Sequence, residues 1–166
     1  MRKKVFQLLV DNNSGVLSRI SGLFSRRGYN IESITAGVTA DARYTRITIC
    51  TSGDDEVLEQ IEKQLAKLED VRDIKELKPD ESVYRELAMV KVKITPQERQ
   101  TIVATTEIFR GNIIDVSPDC VIIEITGNQS KVDAFLRLLD GHEVLELART
   151  GIAGLTRGTE NVTYLP

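Results

Sequence analysis

The stretch VFQLLVDNNSGVLSRISGLFSRRG, residues 5–28, changes its hydrophobic period once, and that change decides the fold. Val5–Val10 is an apolar run of strand length. It breaks at Asp11-Asn12-Asn13-Ser14-Gly15, a dense turn signal. Beyond the break, Val16, Leu17, Ile20, Leu23 and Phe24 recur at helical spacing. Ser14 stands where an N-cap belongs, Arg26 and Arg27 suit the negative end of the helix dipole, and Gly28 suits the residue just past the helix. The stretch reads as strand, polar loop, helix.

Working outward, residues 29–39 are rich in β-branched side chains, and Ala40-Asp41-Ala42 forms a loop. In residues 44–51, Ile47 and Ile49 alternate with Arg46 and Thr48, a half-buried strand that also carries Cys50 on its polar side. Asp54-Asp55-Glu56 opens a second helix with Val57, Leu58, Ile61, Leu65 and Leu68 on its inner face. Residues 71–77 take the place of a returning strand, although Val71, Ile74 and Leu77 are spaced by three. Lys78–Ser82 reads as a linker, and then the order repeats. Val90, Val92 and Ile94 alternate with lysines, and Thr95-Pro96-Gln97-Glu98 combines a capping box with proline at the first helical position. That helix runs to Arg110 and stops at Gly111. Strands follow at residues 112–116 and 120–126, then a helix capped by Asn128-Gln129-Ser130 and a last strand at 144–148. Both halves are βαββαβ, so the fold class is α+β: two consecutive ferredoxin-like domains, over residues 1–78 and 87–166, with a linker over 79–86. A unit of this size buries only ~60–65% of its unfolded surface and is marginal alone. Its edge strands invite pairing. Both features favour a homodimer, with sheets joined edge to edge.

Composition narrows the function. The 166 residues are 41% apolar and 28% charged, with net charge −3, as in a globular protein. The first 78 residues hold 13 basic and 12 acidic groups and the remainder 9 and 13, so neither half has the basic excess of a nucleic-acid footprint. With 5% aromatics and no Trp, a reading built on base-stacking platforms is weakened too. No run approaches the ~20 apolar residues that span a bilayer, and the run after Met1-Arg2-Lys3-Lys4 is too short for a signal peptide. Cys50 and Cys120 form no CxxC, the ordinary state of thiols in a reducing cytosol, so a cytoplasmic location is expected. His142 is the only histidine, which excludes His-based triads and zinc chemistry. The acids at residues 54–56, 59 and 62 read as a helix start and a solvated face. No catalytic residue and no metal ligand is assigned.

The loop at residues 11–15 is the best binding candidate. There a strand feeds a helix, so the N–H groups of Gly15, Val16 and Leu17 converge, and a helix N-terminus of this kind receives a carboxylate or phosphate. Gly15 lets a ligand approach the backbone, and Asn12 offers a donor and an acceptor. A plain strand-to-helix turn explains the same residues. Gly28-Tyr29-Asn30-Ile31 is a helix end leading into a strand, but Asn30 beside Ile31 completes a pocket if a second subunit brings it to the first loop. The segment at residues 148–158 is Gly-rich and moderately apolar, a composition that suits a flexible tail docking on a partner.

Asp11–Leu17 (DNNSGVL), followed by Ser18–Ile34 (SRISGLFSRRGYNIESI), resembles the ligand-binding ACT domain. More narrowly it is similar to the small regulatory subunit of acetolactate synthase (acetohydroxyacid synthase). Thr106–Val116 (TEIFRGNIIDV), Asp133–Leu136 (DAFL) and Ala148–Gly158 (ARTGIAGLTRG) carry that narrower resemblance through the second half. The resemblance implies a non-catalytic subunit of branched-chain amino acid synthesis that activates a large catalytic subunit and confers feedback inhibition by valine. It places thiamine diphosphate, FAD and magnesium on the large subunit and no cofactor on this chain. It puts valine at the ACT dimer interface, with Asn12, Ser14, Gly15, Val16 and Leu17 from one chain and Asn30 and Ile31 from its neighbour. Gly37 falls where relatives often carry Ala, which leaves the pocket wall roomier. Apolar pockets separate aliphatic side chains by only ~1–3 kcal/mol per methylene, so leucine and isoleucine are expected as weaker effectors. Three alternatives remain: a stand-alone ACT-type regulator of another enzyme, an enzyme in its own right, and an RNA-binding module of the same element order. The last would need paired exposed aromatics on its central strands, where only Tyr44 stands.

Overall fold

The period change at Asp11 is a strand end followed by a helix start: β1 covers Arg2–Asp11 and α1 covers Val16–Arg27, in a computed structural model that describes residues 1–159. β2 (Asn30–Val38), β3 (Tyr44–Gly53), α2 (Asp55–Ala66) and β4 (Val71–Glu76) complete the first βαββαβ set. The strands form an antiparallel sheet in the order β2-β3-β1-β4. Phe6, Leu8 and Val10 of β1, with Ile47 and Ile49 of β3, meet Ile20, Phe24, Leu58 and Ile61 of the helices in one buried core. The start signal of α2 and the end signal of α1 hold. Asp54 accepts from Val57 N at the start of α2, and α1 ends at Gly28 in the left-handed region.

The second set is β5 (Ser82–Lys93), α3 (Arg99–Ile108), β6 (Asn112–Val116), β7 (Cys120–Gly127), α4 (Gln129–Leu138) and β8 (Glu143–Arg149). Its sheet runs β6-β7-β5-β8. Val90, Val92, Ile102, Ile123, Val132 and Phe135 form its core. Asn128 caps α4 by accepting from Lys131 N.

Three expectations differ from what is observed. Residues 82–86, expected in the linker, open β5: Ser82 and Glu86 are buried, and only Pro79–Glu81 stands apart, as a single 3-10 turn. Residues 95–98, expected to begin the third helix, form a tight turn closed by Glu98 N donating to Thr95 O. Half of the capping box survives there, as Thr95 N donates to the Glu98 carboxylate. The third difference is the Gly-rich segment. The described residues divide into two compact units, 1–83 together with 152–159, and Tyr84–Gly151. Residues 148–151 of the segment therefore belong to the second unit and residues 152–158 to the first, and strand structure runs through both parts. Ala153–Thr156 forms a short β9 that pairs with β5, whose first residues Ser82 and Val83 share that unit.

Candidate functional site

Between β1 and α1, residues 11–15 close by two short steps: Asn13 N donates to Asp11 O at 2.9 Å, and Asn12 N donates to Arg43 O at 2.8 Å. The side chain of Asn12 is committed in both directions. Its Nδ2 donates to Ala42 O at 2.9 Å, and its Oδ1 accepts from Thr45 Oγ1 at 3.1 Å. The β2–β3 loop thus fixes the amide, leaving one N–H and one lone pair for anything else.

Ser14 is not the cap. That position is taken by Gly15, at φ 87°, and no side chain bonds the first turn of α1. The reason is conformational: the chain enters the helix through the left-handed region, which glycine adopts at little cost. The consequence is chemical. Only Val16 N has a loop partner, Asn13 O at a long 3.5 Å, and no acidic residue stands in the first turn. The positive end of α1 is uncompensated.

Each nearby acid is answered by an arginine. Arg72 grips the Asp11 carboxylate with two bonds of 2.7 Å, and Arg19 Nε meets Asp70 Oδ2 at 2.6 Å. Arg72 holds the Asp11 carboxyl below the usual carboxylate range. Arg43 does the same to Asp41, lowering it to about 2 through its side chain and its backbone N–H. Arg19 also lies over the loop, with Nη1 3.0 Å from where a Cβ on Gly15 would stand.

The other candidates divide by strand register. Gly37 pairs with Arg46 and Val38 with Thr45, so Gly37 lies at the Asn12 end of β3, with open space where a Cβ would point. Asn30 pairs with Ser52, at the far end. Thr45 and Ser52 are seven steps apart, ~23 Å at ~3.3 Å per residue. Within one chain Asn30 and Ile31 cannot share a small ligand with Asn12. Val16 is buried in the core, Leu17 is half exposed, and Ile31 packs against the core. Sequence reasoning missed Arg19, Thr45, Arg72 and the Ala42 carbonyl, because their contacts join residues 30 to 61 apart. Among the described residues no group of three His, Cys, Asp or Glu is placed to hold a metal ion, and no helix is long and apolar enough to cross a membrane.

A βαββαβ unit with an uncapped helix start beside a polar β1–α1 loop is the architecture of an ACT-type domain, here followed by a second ferredoxin-like domain. Residues 6–73 match the model of the acetohydroxyacid synthase small subunit-like ACT domain, and residues 85–158 match the model of the small subunit of acetolactate synthase. The probable acetolactate synthase small subunit of Methanothermobacter thermautotrophicus is 49% identical over 95% of both chains. The acetolactate synthase isozyme 3 small subunit of Escherichia coli is 47% identical over 94% of this chain and 96% of its own. The crystal structure of the acetolactate synthase small subunit from Thermotoga maritima superposes with a TM-score of 0.88 at 44% identity, covering 96% of this chain and 99% of that one. The chain belongs to the acetolactate synthase small-subunit family.

Proposed function

We propose that this chain is the valine-sensing regulatory subunit of acetolactate synthase. It associates with the large catalytic subunit, raises its activity and makes it subject to feedback inhibition by valine. The catalytic machinery, with thiamine diphosphate, FAD and magnesium, belongs to the large subunit in this reading. One observation carries the effector site: the N-terminus of α1 is left without side-chain cap or acid, beside a loop whose single carboxylate, Asp11, is paired with Arg72. A valine carboxylate satisfies such a terminus. Leu17 offers apolar surface to the isopropyl group.

The ammonium needs acceptors, and the neighbour's Asn30 supplies one. Two β2 strands pairing antiparallel about Ile34 set Asn30 of one chain opposite Val38 of the other, which is the Asn12 end. β2 is an edge strand, and Ile34 and Val38 are exposed on it, at 37% and 60%. The homodimer therefore assembles the site from Asn12, Ser14, Gly15, Val16, Leu17 and Gly37 of one chain with Asn30 and Ile31 of the other. Calorimetric titration of the purified chain tests this directly. Valine should bind once per chain, with leucine and isoleucine weaker, and absence of any heat or saturation would refute the site. Adding the chain to its large subunit should raise turnover and confer inhibition by valine, whereas the chain alone should turn over nothing.

A further inference from the structure

The sheet of the first unit is buried on both faces, which the two helices do not explain. α1 and α2 cover the face carrying Phe6, Leu8, Ile47 and Ile49. Val5, Leu9, Thr48 and Cys50 point the other way, and all are buried. The segment returning at Ile152 crosses that second face. Thr35 Oγ1 of β2 donates to Ile152 O at 3.1 Å, Arg46 Nη2 of β3 donates to Gly154 O at 3.0 Å, and Arg157 N donates to Glu81 O at 2.7 Å. Ile152 is itself buried.

Two features make this strap more than packing. The first is its grip. Arg46 is half buried, no carboxylate among the described residues pairs with it, and its hold on the strap is one neutral carbonyl. Burial pulls its pKa below the ordinary guanidinium value. The charged hydrogen bond gained there is offset in part by the desolvation of the charge, so the grip is weaker than an ion pair would be. The second feature is position. Thr45 holds the Asn12 side chain, and Arg46 is the next residue on the same strand. Successive residues of a strand face opposite sides, so a shift of β3 under Asn12 moves the group that grips the strap. The strap is also a lever. Gly151, in the left-handed region at φ 85°, joins it to Arg149, which is anchored in the second unit by Glu86 and Asp133.

We infer that residues 152–156 are a regulatory strap: ligand occupancy at the β1–α1 loop is passed through Thr45 and Arg46 of β3 to the strap, and from the strap to the second domain. The inference rests on the valine site proposed above. Arg46→Met keeps the aliphatic stem and removes the grip, and Thr35→Val keeps the shape. The double variant of the full chain, combined with its large subunit, should keep valine affinity within about twofold while the valine concentration for half-inhibition rises at least ~10-fold, a coupling loss of ordinary size. Unchanged inhibition would overturn the inference. So would affinity and inhibition falling together, since the residues would then serve the site itself. Should the variant unfold, hydrogen exchange on the wild-type chain decides. Valine must change protection of the amides at 152–156 at least ~5-fold, and no change overturns the strap. A wild-type chain that binds no valine at all brings down the effector reading instead, and calorimetry separates that failure from this one.

Discussion

At Gly15 the backbone lies at φ 87°, and a Cβ there would meet Arg19 Nη1 at 3.0 Å. Gly15→Ala therefore costs roughly 1–3 kcal/mol of stability from backbone strain, but it leaves the N–H groups of α1 open. Gly15→Asp adds a carboxylate about where the ligand carboxylate docks. Two like charges ~4 Å apart at an effective dielectric of ~20 repel by ~4 kcal/mol. Calorimetry should show valine affinity falling at least ~100-fold in the Asp variant and far less in the Ala variant. Equal losses would mean that strain, not charge, disables the loop. Activation of the large subunit needs no effector and should survive both. A second outcome at this scale concerns Asp41, whose carboxyl Arg43 holds at about 2. Its pKa is depressed in the folded state, so its contribution to stability is full above the unfolded value near ~4 and is lost as pH falls toward ~2. Asp11, paired with Arg72, acts in the same sense. Thermal melts of wild type and Asp41→Asn should converge as pH drops through that window, and a gap that ignores pH would contradict the pairing.

At the scale of elements, most helices and strands were legible, while the starts of β5 and α3 were misplaced and β4 was read only from its place in the order. For β4 the reason lies in register. β2, β4, β6 and β8 are the edges of the two sheets, and each carries a one-residue shift, at Glu32, Arg72, Ile114 and Leu145. The extra residue lets side chains three apart face the same way. Val71 and Ile74 of β4 therefore both reach the core, and a search for strict alternation rejects them. Glu86 was hidden for another reason. A buried glutamate reads as linker until its partner, 63 residues away, is known: Arg149 pairs with it in two bonds. The same pair yields a prediction. The Glu86 side chain is 3% exposed, so Arg149→Met strands a buried carboxylate and should cost about 3 kcal/mol in chemical denaturation. Adding Glu86→Leu should recover most of that loss, because the charge leaves with its partner. A double variant as unstable as the sum of the singles would show that packing, not the ion pair, was at stake.

For the whole molecule, the loop of the candidate site was visible in the sequence but its completion was not, since nothing in a linear pattern says that Asn12 and Asn30 lie at opposite ends of β3. The register places them ~23 Å apart, so a site using both belongs to two chains, and mixing experiments can expose it. Gly15→Asp spoils the loop, and Asn30→Ala spoils what the neighbour contributes. Each variant alone forms a homodimer with two damaged sites. In a mixture that exchanges subunits, the mixed dimer has one site with both defects and one with neither. The intact site joins the loop of the Asn30→Ala chain to the Asn30 of the Gly15→Asp chain. With random exchange about half the dimers are mixed, so about a quarter of all sites should regain wild-type affinity. Calorimetry on the mixture, after incubation long enough for exchange, should find that fraction, while either variant alone shows almost none. Sedimentation of the same samples confirms that dimers are present throughout. If valine binding stays absent in a mixture shown to exchange, each site is built within one chain, and the paired-strand assembly about Ile34 is wrong.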